Sequence, residues 1–125
     1  MRAAQPTDSV VLPAIGGAYT ALGRQESAVD VWRTLVKLTG NPKFTSRYAD
    51  ALYLAGRHPQ ALQEYRSLQA LNVASIHQMR RLAELERSHG YLGPAEKIML
   101  QVIADGGTDK DREMLADILR RTGDA

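Results

Sequence analysis

ADALYLAGRHPQALQEYRSLQAL, the stretch from Ala49 to Leu71, reads as two short helices folded back on each other. Ala49, Leu52 and Tyr53 share one stripe, Gly56 stops the first helix and Pro59 starts the second. Ala61, Leu62, Tyr65 and Leu68 then recur at helical spacing. Neither short stripe can bury itself alone, so the hairpin needs neighbours. The chain supplies them, because the same pattern returns on both sides.

Upstream, a first helix lies within Ser9–Leu22, with Leu12, Ile15, Tyr19 and Leu22 on one face and Gly23 at its end. Pro13 is awkward there, since an interior proline removes a backbone donor and crowds the preceding turn. A start at Pro13 would place it in the tolerated first turn. A second helix spans Gln25–Thr39 and is expected to bury Ala28, Val31, Trp32, Leu35 and Val36. Asn41-Pro42 restarts the chain after Gly40: asparagine caps the free amides and proline loses nothing at that position. The third helix runs to about Ala55 and the fourth from Pro59 to Leu71.

Downstream, Ser75 caps a fifth helix carrying Ile76, Met79, Leu82, Ala83 and Leu85, which ends at Gly90. Gly93-Pro94 opens a sixth, with Ala95, Ile98, Met99, Val102 and Ile103 apolar. After Gly106-Gly107, Thr108 and Asp111 have capping-box spacing, and a seventh helix to about Thr122 turns Met114, Leu115, Ile118 and Leu119 inward. No segment alternates with a period of two over strand length, so the expected class is all-α.

The helix-ending glycines Gly23, Gly56, Gly90 and Gly123 are separated by 33, 34 and 33 residues. Small residues before each turn (Gly16, Ala49, Ala83, Ala116) keep the same step, as do Ala28, Ala61 and Ala95 after it. Large residues follow at Trp32, Tyr65 and Met99. Antiparallel helices approach closely only where a small residue meets a small or flat one. A large residue then fills the wedge between successive pairs, which keeps a helical repeat regular.

On these residues the chain resembles the tetratricopeptide repeat (TPR) family, whose unit is about 34 residues. The resemblance covers Ser9 to Gly123; the family's aromatic slot is filled by Tyr19 but by Leu52, Glu86 and Leu119 in the later copies. It implies an α-α superhelix, a TPR-like solenoid of three helix-turn-helix repeats plus a C-terminal helix. The expected repeats are about 9–41, 42–75 and 76–108, with a final helix at 109–122 and a flexible lead over 1–8. It also implies a concave groove, lined by the first helix of each pair, that holds a partner's peptide or helix. By register the groove residues are Gly17 and Thr20, then Lys43, Ser46, Arg47, Asp50 and Tyr53, then His77, Arg80, Arg81, Glu84 and Arg87. The cluster Lys43, Arg47, His77, Arg80 and Arg81 would meet an acidic segment, because arginine pairs with both oxygens of a carboxylate. Some family members clamp a chaperone's acidic tail; here Pro13 and Gly17 stand where that clamp needs a lysine and an asparagine.

The implied function is a scaffold, adaptor or chaperone-like holder that binds another protein and performs no chemistry. The alternative is an assembly module, a piece of a longer solenoid docking or self-associating through its ends. The first helix is apolar throughout, and Leu115, Ile118 and Leu119 would form an end interface on the last. Charge does not favour nucleic acid, with 16 basic against 14 acidic residues and no concentrated basic stripe. No apolar run reaches the roughly 18 residues of a spanning helix, and the opening MRAAQPTDS lacks signal-peptide order, so the cytoplasm is the expected compartment. Cysteine is absent. Glu86 and His89 have a metal-ligand spacing but no second pair, and Asp105, Asp109 and Asp111 miss the calcium-loop pattern. No phosphate loop and no nucleophile with a base in reach appear, so neither a cofactor nor a metal is expected.

Overall fold

A computed structural model of the chain describes residues 8–123, and within them the secondary structure is entirely helical. The order is α1 (Asp8–Ala21), α2 (Gln25–Thr39), α3 (Pro42–Leu54), α4 (His58–Ala70), α5 (Ile76–Ser88), α6 (Leu92–Ala104) and α7 (Asp109–Gly123). Most boundaries fall within one residue of the sequence reading. The expected lead over 1–8 lies outside the described residues except for Asp8, which opens α1. The chain divides after Leu68 into two compact units.

Three turns share one hydrogen-bond design. At the end of α1, Gly23 donates to the Thr20 carbonyl and Arg24 reaches back to Tyr19. Gly56 and Arg57 repeat this with Tyr53 and Leu52, and Gly90 and Tyr91 with Arg87 and Glu86. Each satisfies carbonyls that a helix end leaves open. The glycines sit at φ 74°, 79° and 83°, a region that side-chain-bearing residues adopt only with strain.

In the first unit, α2 packs against both α1 and α3. It buries Ala28, Val29, Trp32 and Leu35. Val31 and Val36, expected inside, are half-buried. With a neighbour on either side, the buried sector of α2 is rotated toward Val29. On α3 and α4, Ala49, Leu52, Ala61, Leu62, Tyr65 and Leu68 are all buried, as the opening stretch requires. Asn41 caps α3 through the Lys43 amide at 3.0 Å.

α1 departs most from expectation. It does not begin at Pro13, which lies inside it. Gly16 faces α2, flanked by half-buried Leu12 and Tyr19, while Ile15 and Leu22 are exposed. The reason is contact distance: a Cβ built on Gly16 would lie 2.7 Å from the Trp32 ring. Only a bare backbone can meet the indole that closely, and that contact sets the rotation of α1.

In the second unit, Ser75 and Gln78 form a reciprocal capping box at the start of α5. The core is Leu82, Ala83 and Leu85 of α5, Ala95, Ile98, Met99 and Val102 of α6, and Ile118 of α7. Gln78, Glu86 and Asp111 are buried with them. On α7 the inward expectation holds in full for Ile118 alone: Met114 and Leu115 are half-buried and Leu119 is exposed.

Gly16 and Gly17 separate packing from propensity. Gly16→Ala is expected to cost about 1–3 kcal/mol by overpacking against Trp32. Gly17→Ala, where an added Cβ meets nothing within 4 Å, is expected to be neutral or to stabilise by up to about 1 kcal/mol. Trp32→Ala should cost about 3–5 kcal/mol. Urea unfolding of the three variants checks the ranking.

Candidate partner-binding cleft

In the first unit a cleft of about 660 Å³ opens between α1 and α3 over the Trp32 side of α2. α1 contributes Val10, Pro13, Gly17, Thr20 and Ala21, which follow one another around a single helical stripe. Trp32 lies 4% exposed and stacks on Phe44 of α3, ring centroids 6.2 Å apart and planes 22° from parallel. Lys43 and Arg47, one turn apart on α3, complete the lining and are exposed. The cleft is therefore apolar with a cationic rim. Its volume falls in the range of about 300–1,000 Å³ usual for ligand sites.

Four groove residues read from the sequence meet here: Gly17, Thr20, Lys43 and Arg47. Asp50 and Tyr53 do not line this cleft. The Asp50 carboxylate accepts a hydrogen bond from the Tyr65 hydroxyl at 2.6 Å, tying α3 to α4. Tyr53 stacks on His58 at 5.3 Å and meets Tyr65 edge-on at 6.4 Å. Both residues serve the hairpin. Val10, Pro13, Ala21, Trp32 and Phe44 were not among the groove residues read from the sequence. The available signal was the run of short side chains at Pro13, Gly17 and Ala21, which leaves room where a clamp would place long ones.

In the second unit His77 is exposed, and Arg81 and Glu84 are half-buried and hold partners of their own. Arg80 needs a correction. Its guanidinium forks onto the Asp111 carboxylate, Nε to Oδ1 and Nη2 to Oδ2, both at 2.9 Å. Asp111 is 5% exposed and also accepts from the Thr108 amide at 2.8 Å and the Thr108 hydroxyl at 3.2 Å. Arg80 thus neutralises the buried cap of α7 and is not a free cation for a ligand. Ile118 also needs one: fully buried, it offers no area to an end interface, where Leu119 is 45% exposed.

The Arg80 hydrogen bond, reinforced by Thr108, holds the Asp111 carboxyl below the usual aspartate range against the opposing effect of burial. A carboxyl lowered in the folded state contributes stability that is complete above the ordinary aspartate value of about 4 and is lost as acid titrates through its native value. Asp111→Asn should therefore lower the urea midpoint at neutral pH and make it less sensitive to acid below pH about 4 than in the parent chain. Equal acid sensitivity would show that the pair is not linked to folding.

No family model matches this sequence, and no curated protein matches it. Solved structures do. The first TPR of Spaghetti (RPAP3) bound to the HSP90 peptide SRMEEVD superposes with a TM-score of 0.76 at 18% identity, over 95% of this chain and 96% of that one. The Yersinia enterocolitica type III secretion chaperone SycD, in complex with a peptide of the translocator YopD, gives 0.72 at 17% identity, over 89% and 92%. The MamA RS-1 ArsTM double mutant gives 0.80 at 20% identity, over 96% and 68%. At these identities the likeness shows the fold: this is a TPR-like helical-repeat protein.

Proposed function

We propose that the chain is a protein-interaction module that takes a segment of a partner protein into the α1–α3 cleft and does no chemistry on it. The observation that carries the reading is the cleft itself, an apolar trough of about 660 Å³ floored by the Trp32–Phe44 pair. Burial of a partner's apolar side chains there supplies the driving force, on the order of 25 cal/mol for each Å² removed from water. The fold supports it by analogy, since RPAP3 and SycD were each solved with a peptide bound.

Gly17 allows a clean test because a side chain added there enters open space. Gly17→Phe should fill the cleft while leaving the helical circular dichroism unchanged. Partners cross-linked to the parent chain and identified by mass spectrometry should be lost from the variant, and their binding should shift Trp32 emission in the parent, Trp32 being the sole tryptophan. Capture that is identical with the cleft filled would rule out this site.

A second reading has its own observation. Val11, Ile15 and Ala18 on α1 and Leu22 just past its end are exposed and recur at four-three-four spacing, the seam of a helix that pairs with another helix. No charged residue lies between Asp8 and Arg24. Association through an end would then use α1 and not α7, whose flanks carry Arg112, Glu113, Arg120 and Arg121. Sedimentation should show reversible association that Ile15→Lys abolishes and Leu119→Lys leaves intact. A parent chain that stays monomeric at every concentration removes this reading.

A further inference from the structure

A carboxylate at the C-terminal end of a helix stands against the partial negative charge of that end, where a cation in the last turn is favourable. α2, α5 and α7 carry Lys37, Arg87 and the Arg120–Arg121 pair in their last turns. α4 and α6 carry none. α6 goes further in the unfavourable direction, because its C-cap is Asp105. Among the described residues the Asp105 carboxylate holds no cation; its one side-chain hydrogen bond comes from the Gln101 amide, 3.5 Å away and at the limit of such a bond. The aspartates that follow are all engaged: Asp109 pairs with Arg112, Asp111 with Arg80 and Asp117 with Arg87.

In the second unit Asp105 lines a small cavity. About 110 Å³ of space lies among Gln69 in the last turn of α4, Asn72 just beyond it, Ala74 in the link that follows, Met79 of α5, and Gln101 and Asp105 at the end of α6. Two helix C-termini therefore converge on one space, together with a carboxylate and three carboxamides. Asn72 is the one described non-glycine residue at positive φ, 60°, and its backbone amide closes onto the Gln69 carbonyl at 2.9 Å. No basic residue lines the cavity. Helix ends, amide oxygens and carboxylate all favour a positive charge there, and one carboxylate matches a single one.

We propose that this cavity is a docking point for the ammonium group of a lysine presented by a partner protein. An ammonium carries three donors and one charge, which the amide oxygens of Gln69, Asn72 and Gln101 and the Asp105 carboxylate can accept together. Met79 and Ala74 supply an apolar side for the methylene stem, as lysine requires when its head alone is polar. A guanidinium would bring a planar fork to a site with only one carboxylate edge. Calcium would find one carboxylate, short of the charge that its oxygen sites collect. The cavity belongs to the second unit and does not rest on the reading of the α1–α3 cleft.

The test follows the side-chain amide resonances of Gln69, Asn72 and Gln101 and the Met79 methyl by NMR in the full chain. The probe is a short capped peptide with one lysine among alanines, compared with the same peptide Nε-acetylated at the lysine or carrying arginine in its place. The lysine peptide should move all four signals saturably, and more weakly as salt is raised. Asp105→Asn should weaken that binding about fivefold or more. Its urea midpoint should stay level or rise, because the change removes a charge from the unfavourable end of a helix. A lowered midpoint would make Asp105 a structural residue and overturn the inference. Equal shifts from the acetylated or the arginine peptide, or none at the three amides, would overturn it as well. Calcium that displaces the lysine peptide from the same residues would reassign the cavity to a metal ion. None of these outcomes bears on Gly17→Phe, which reports on the cleft alone.

Discussion

The close approach of a small residue to a large one across each helical hairpin is what the rest of this structure depends on. Counting from each turn glycine, a small residue stands seven positions before it and another five positions after it, in all three copies. The left-handed glycine reverses the chain in the same three residues each time, so the two small positions are brought opposite each other at a fixed offset. A helix of thirteen to fifteen residues is marginal in water by itself. It persists here because the offset lets its partner's backbone come near enough for a continuous buried seam. Gly16 under the Trp32 ring is the extreme case, where even a methyl group has no room.

That contact also makes the cleft. Holding α1 by Gly16 turns its next face, from Val10 through Pro13 and Gly17, toward α3. Side chains there are short, so the space between the two helices is not filled from within. Pro13 fits the same logic. Inside a helix it sacrifices a backbone hydrogen bond, and in exchange the stripe gains a rigid apolar wall without a long side chain. A lysine at that position, as a tail-binding clamp would require, would reach across and occupy the trough.

Helix number, order and pairing were legible in the sequence because they follow from local chemistry: glycine in the left-handed region, caps at Asn41 and Ser75, and apolar stripes of period 3.6. What escaped was decided between elements. Arg80 and Asp111 are 31 residues apart, and nothing local to either indicates that one neutralises the other. Without that pair the basic run on α5 reads as a free surface. Ile15 and Gly16 both lie on plausible inner faces of α1, and only the distance to Trp32 chooses between them. Glu86 sits in a slot where an aromatic residue is usual, yet it is 2% exposed. Burial of a charge is expensive unless it is matched, and position in a repeat carries no information about the match. The cleft was half legible: its cations were named from register, while Trp32 was assigned to the core and Phe44 was not singled out.

Placement of charges, more than their number, separates the candidate site from the rest of the surface. A chain with sixteen basic and fourteen acidic residues has almost no net field to offer a partner at a distance. Local imbalance of charge therefore matters more than any net field. An exposed ion pair contributes little to stability, so pairs such as Arg57–Glu26 and Arg112–Asp109 cost little to keep; they lower the number of cations able to attract an acidic ligand indiscriminately. The cations left unpaired beside apolar surface are then the ones where an incoming carboxylate gains most, because the neighbouring trough excludes water as it fills and strengthens the attraction. Lys43 and Arg47 meet that condition through their neighbours, which makes the α1–α3 cleft a product of packing first and of charge second.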